Sequence, residues 1–171
     1  RIGSFLLFFI FLCFFLLQEN DSSSLKIVAH RGASALAPEN TLAAVDLAWK
    51  RGADAVEVDV RLSKDNKIVV IHDANTKRTS GVDMVVAEEA YDDLRQVDVG
   101  SWKGKSYVEE RIPLLERVIE SIPPEKKLFI EFKETSSLML EEFTSLLGRF
   151  VEKKEQLVLI SFDHFFCESI K

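Results

Sequence analysis

Between residues 53 and 62 the chain alternates, with Val56, Val58 and Val60 on one side of an extended segment and Glu57, Asp59 and Arg61 on the other. A period of two with valine on one face reads as a β-strand. It also sets two carboxylates on the same strand face. Such a pair repels, and burying it without a counter-charge is costly. Any fold for this chain must bury the valines and give the carboxylates either solvent or a cation.

Other short apolar segments also end on polar, chemistry-bearing residues. Residues 25–29 run into His30-Arg31-Gly32, residues 67–71 run into His72-Asp73, and residues 128–133 carry Glu131 and Lys133 on one face. A fifth strand is expected over residues 157–161. Helical segments lie between. Pro38-Glu39-Asn40-Thr41 opens one, with Asn40 or Thr41 as N-cap, an apolar face of Leu42, Val45, Leu47, Ala48 and Trp49, and Gly52 as its stop. Others are expected over residues 88–95, from Pro113 to about residue 122, and over residues 137–153; residues 75–86 and 98–110 read as loops. Strands alternating with helices predict an α/β fold. A (β/α) barrel places its catalytic groups at the C-terminal ends of strands, which is where these polar residues fall.

The link between the second and third strands, Ser63-Lys64-Asp65-Asn66, is too short for a parallel return. It predicts a hairpin or an irregular short crossover turning on Asp65-Asn66. A hairpin centred on that pair would set Asp59 opposite His72 and put Glu57, Asp59 and His72 on one face.

A length of 171 residues suits one domain. The formal net charge of -6 argues against nucleic acid as the partner, because phosphate backbones select basic surfaces. The two cysteines, Cys13 and Cys167, imply no disulfide framework. Residues 5–17 are an unbroken apolar run, short for a membrane span. They fit the core of an export signal with Arg1 as a basic flank, with an uncleaved anchor or a buried helix as alternatives. A polar spacer follows, so the division expected is residues 1–24 as signal or anchor and residues 25–171 as the globular domain. The domain would then be exported, periplasmic or extracellular, or held at a membrane.

Glu57, Asp59 and Glu131 make sense as inward carboxylates if a hard divalent cation, Mg²⁺ or Ca²⁺, neutralises them. A solvent-facing strand side is the plainer alternative. His30 and His72 each follow an apolar strand, and an imidazole with a pKa of about 6.5 suits proton transfer at neutral pH. The third histidine, His164, is left as structural. Arg31 and Lys133 are candidate phosphate clamps or salt-bridge partners of nearby carboxylates. Glu39 and Asn40 are either a helix cap or polar support for the site. Gly32 permits a positive φ or a close backbone approach. Trp102 either lines a pocket or covers a loop.

The ordered set His30-Arg31-Gly32-Ala33, Pro38-Glu39-Asn40-Thr41, Glu57-Val58-Asp59-Val60 and His72-Asp73 resembles the glycerophosphodiester phosphodiesterase family. Arg78-Thr79, Asp98-Val99-Gly100-Ser101-Trp102, Ile112-Pro113 with Leu115-Glu116, and Glu131-Phe132-Lys133 extend the likeness over residues 27–162. The resemblance implies a TIM-type barrel, one divalent cation and hydrolysis of glycerophosphodiesters to glycerol 3-phosphate and an alcohol. It implies Glu57, Asp59 and Glu131 as metal ligands and His30 and His72 as the acid–base pair. It further implies Arg31 and Lys133 on phosphate, with Glu39 in support. Asn75-Thr76-Lys77 and Leu114 depart from the family's usual residues, which bears on substrate choice. An eight-stranded barrel needs more strands than the roughly five counted. The expectation is a barrel truncated to its first five strands, belonging to a protein that continues past Lys171, with this piece alone inactive or poorly folded.

The expected partner is a small or lipid-derived glycerophosphodiester. Two other readings stand beside it: a lysophospholipase D-like or sphingomyelinase D-like enzyme, and a membrane-tethered module that binds headgroups without turnover.

Overall fold

The computed structural model describes residues 26–170. The apolar segment at residues 5–17 and the side chain of Cys167 lie outside what it describes. Among the described residues no helix is long and apolar enough to cross a membrane.

Five strands form one sheet: β1 (Val28–His30), β2 (Ala55–Leu62), β3 (Ile68–Val70), β4 (Lys127–Phe132) and β5 (Leu157–Ile160). Four of them run parallel in the order β1-β2-β4-β5. This is the wall of a (β/α) barrel, as the alternating pattern predicts. β3 is antiparallel to β2. It pairs with residues 60–62, on the β2 edge whose first half is taken by β1.

The β2–β3 link is therefore a hairpin, but its register corrects the expectation by one residue. Val60 pairs with Val70 and Leu62 with Ile68, so the Ile71 N–H, not His72, meets the Asp59 carbonyl, at 2.9 Å. The reason is the turn. Asn66 adopts a left-handed φ of 61°, and Ser63 closes on Lys67 around a three-residue loop. A left-handed residue in last position is the usual form of such loops. By parity it is Ile71, not His72, that shares the Asp59 face.

The helices are α1 (Leu42–Lys50), α2 (Lys77–Ser80), α3 (Tyr91–Leu94), α4 (Leu115–Glu120), α5 (Ser137–Arg149) and α6 (His164–Ser169). Thr41, not Asn40, caps α1: its hydroxyl accepts the Ala44 N–H. The loop expected over residues 75–86 contains the one-turn α2, and α6 has no counterpart in the sequence reading. The helix expected over residues 137–153 ends at Arg149 and tightens into a 3₁₀ turn, Val151–Gln156.

The core explains the alternation in β2. Val56, Val58 and Val60 are fully buried with Leu128, Ile130 and Phe132 of β4 against Val45, Val118, Ile119, Met139 and Phe143 of the helices. Phe132 and Phe143 meet edge to face with centroids 4.9 Å apart. Helices thus cover one sheet face, and Glu57, Asp59 and Glu131 are left for the other. A second cluster packs Val69 and Ile71 against Val86, Leu94, Val97, Val99 and Ile112. It anchors residues 74–112 beside the sheet.

Candidate active site

Strand register builds the centre of the site. His30 of β1 is the partner of Glu57 on β2, and Asp59 of β2 is the partner of Glu131 on β4. One carboxylate oxygen from each of Glu57, Asp59 and Glu131 lies within 4.8 Å of the others. Asp59 and Glu57 are buried. Burial, then the negative charge of Asp59, pushes the Glu57 carboxyl up to about 7.

Each carboxylate is aimed by its neighbours. The Asn40 side chain donates to Asp59 Oδ2 at 2.8 Å and accepts the Asp59 backbone N–H at 3.2 Å. Asn40 is therefore a support for Asp59 rather than a helix cap. The Arg31 N–H donates to Glu57 Oε2 at 2.9 Å. That contact needs Arg31 at φ 57° and Gly32 at φ 76°. A Cβ on Gly32 would come within 2.6 Å of the Ala44 backbone, so both readings of this glycine hold: positive φ and close approach.

Arg31 and Lys133, the two cations expected on phosphate, are engaged with carboxylates. Arg31 donates to Glu39 at 2.9 Å and places Nε 3.2 Å from Asp59 Oδ2, without hydrogen-bond alignment. The Lys133 ammonium lies 2.5 Å from Glu131 Oε1 and 2.9 Å from Asp59 Oδ1, the second contact off the hydrogen-bond direction. Burial opposes the charge on Lys133, but the two carboxylates outweigh it and raise its pKa.

The His30 side chain is largely exposed, and its Nε2 lies 3.8 Å from Glu57 Oε2. His72 is reached differently. β1 ends opposite Glu57, and the chain leaving β3 reaches Asp59, so the two histidines approach one stretch of β2 edge from opposite directions. Arg61 Nε holds the His72 carbonyl at 2.9 Å, and His72 Nδ1 lies 2.6 Å from Asp73 Oδ1. Arg78 bonds Asp73 at 2.6 Å and both oxygens of Glu39 at 2.8 and 2.9 Å. The Arg78 guanidinium, ahead of the opposing effect of burial, holds Glu39 below its usual range and Asp73 at about 2.

Sequence reasoning gave Arg78 and Asp73 no role. Both lie in the stretches that carry the family likeness, and that was the signal available. Trp102 is half exposed and ties its own loop, donating to the Val99 carbonyl at 2.8 Å. His164 stays apart, at the start of α6, stacked on Phe165.

The donor set fits a hard divalent cation. Three carboxylates converge; Glu57 Oε1 is buried with no hydrogen-bond partner, and Asp59 Oδ1 has only the misaligned Lys133 ammonium at 2.9 Å. Buried carboxylate oxygens are ordinarily satisfied, and oxygen donors are what Mg²⁺ and Ca²⁺ take.

The chain is similar to known proteins. The chain is 47% identical over 126 residues to YhdW of Bacillus subtilis, covering 72% of this chain and 52% of that one. The crystal structure of glycerophosphodiester phosphodiesterase from Agrobacterium tumefaciens superimposes with a TM-score of 0.75 at 32% identity, over 85% of this chain and 61% of that one. An Oleispira antarctica phosphodiesterase in complex with the product sn-glycerol-3-phosphate gives 0.74 at 36% identity, over 85% and 60%. The chain thus spans between about half and three-fifths of these relatives' lengths. Its residues 30–171 match the glycerophosphoryl diester phosphodiesterase family, and the chain belongs to that family.

Proposed function

We propose that the protein hydrolyses glycerophosphodiesters to glycerol 3-phosphate and an alcohol in a metal-dependent reaction. The observation that carries this is the convergence of the Glu57–Asp59–Glu131 carboxylates, with Glu57 Oε1 buried and without a hydrogen-bond partner, beside His30. The product-bound relative supports the choice of substrate class.

In this reading Glu57, Asp59 and Glu131 would hold one divalent cation, which would supply charge neutralisation to the phosphodiester. Arg31 and Lys133 sit beside that position and turn from the carboxylates toward the phosphate when it binds. His30 and His72 divide the proton work: one takes the proton of the attacking hydroxyl, the other protonates the departing alcohol. Asn40 and the Arg31 N–H keep the carboxylates in place throughout. Residues 5–17 would export the domain or hold it at a membrane.

The test is release of glycerol 3-phosphate from glycerophosphocholine by the full-length protein, with and without EDTA. Release that stops with EDTA and returns with Mg²⁺ or Ca²⁺ is expected. Release that ignores the chelator removes the metal from the reading, and no release removes the activity.

A further inference from the structure

The ring of His72, one of the two proton-transfer histidines proposed above, faces Asp73, and Asp73 is itself held by Arg78. This is a chain of contacts with two ends. At one end His72 Nδ1 meets Asp73 Oδ1 at 2.6 Å. In the middle the Arg78 Nε donates to Asp73 Oδ2 at 2.6 Å, while Nη1 and Nη2 donate to Glu39 at 2.9 and 2.8 Å. At the other end Glu39 takes Arg31 Nη1 at 2.9 Å, and the Arg31 backbone N–H fixes Glu57.

Resting on that reading of the site, we propose that Arg78 is a positioning residue that sets the tautomer of His72 and ties it to the metal-ligating side. An ionised Asp73 only accepts hydrogen bonds. A neutral His72 facing it therefore carries its proton on Nδ1 and leaves Nε2 as the free base. The rigid fork of a guanidinium pairs Asp73 and Glu39 at once, which a lysine's point charge does not. The charged groups around His72 are Asp73, Arg78 and Glu39, which line the same small cleft, and Arg61 on its backbone carbonyl. Two of the four, Asp73 and Glu39, are bonded to Arg78. The chain has local support: α2, which carries Arg78, is anchored by fully buried Thr76, whose hydroxyl donates to the Val82 carbonyl at 2.5 Å.

The experiment uses full-length protein with ¹⁵N-labelled histidine, and compares wild type with Arg78→Gln, Arg78→Lys and Asp73→Asn. Two readouts are taken: the ¹⁵N shifts that report the neutral tautomer of His72, and kcat and KM on glycerophosphocholine. The wild type should hold the Nδ1–H form. Arg78→Gln and Asp73→Asn should mix the tautomers and lower kcat ~10–100-fold, the range for partners that orient a catalytic-site histidine, with KM within a few-fold. Arg78→Lys should fall between. Asp73→Asn carries both readouts if Arg78→Gln does not fold. An unchanged tautomer in Arg78→Gln, or unchanged kcat, overturns the proposal. A wild type without turnover overturns the function proposed above, and the tautomer comparison then decides this one alone.

Discussion

Asp59 and Glu131 are register partners across the parallel β2–β4 pair, and their carboxylates share the Lys133 ammonium at 2.9 and 2.5 Å. The strands bring the two negative groups together, so a positive charge must accompany them. Lys133 supplies one charge against three carboxylates. Arg31 lies 3.2 Å from Asp59 as a second positive group. In the proposed reaction a divalent cation would supply two further charges and release Lys133 for phosphate.

A bound cation should therefore stabilise the fold. At about 100-fold over its Kd, a ligand that binds only the native state adds about 2.7 kcal/mol, a rise in Tm of roughly 5–10 °C for a domain of this size. Glu131→Gln should remove most of that rise. Differential scanning calorimetry with and without Mg²⁺ or Ca²⁺ measures both.

Replacing His30 or His72 by Ala should lower kcat ~10²–10⁴-fold, the range for loss of a general acid or base. The His30 side chain is 66% exposed, so its removal should leave stability within ~0.5 kcal/mol. Turnover assays paired with urea unfolding separate the two effects. Unchanged turnover in either variant rejects that assignment.

Gly32→Ala should damage fold and site together. The new Cβ has nowhere to go beside Ala44, and φ 76° is unfavourable for alanine. Strain of this kind costs about 1–3 kcal/mol. Arg31, whose N–H fixes Glu57, would shift with it. Denaturant midpoints together with cation affinity test this.

Much of this was legible from residue pattern. The valine–carboxylate alternation in β2 specified which face packs on apolar side chains and which carries the carboxylates, because side chains alternate strictly along a strand. The short link to β3 excluded a parallel return, which needs a dozen or more residues, and left a hairpin or an irregular crossover. The register was harder, since it turned on Asn66 taking a left-handed conformation that the residue type permits but does not require. That single residue moved Ile71 into the place expected for His72. The Arg78 bridge was not legible, because Asp73 and Glu39 are far apart in sequence and only the fold of residues 74–112 sets Arg78 between them. Arg31 and Lys133 were legible as cations of the site. Their pairing with carboxylates was an alternative that composition alone did not decide.

Acid should reveal the Arg78–Asp73 pair. Asp73 is held at about 2, below the ordinary 3.8. A carboxyl depressed by folding contributes stability that is fully present above pH 3.8 and is lost as pH falls toward 2. Wild type should lose more stability than Asp73→Asn across that window. Urea unfolding of both proteins between pH 5 and pH 2 gives the difference, and parallel curves would contradict the ion pair.

Crystals of the full-length protein soaked in Mn²⁺, with data collected at the manganese absorption edge, test the central claim most directly. One anomalous peak bonded to oxygens of Glu57, Asp59 and Glu131, with the Lys133 ammonium withdrawn from between Asp59 and Glu131, is the predicted result. A peak held by other residues, or a triad still closed on Lys133 at a saturating concentration, would contradict it.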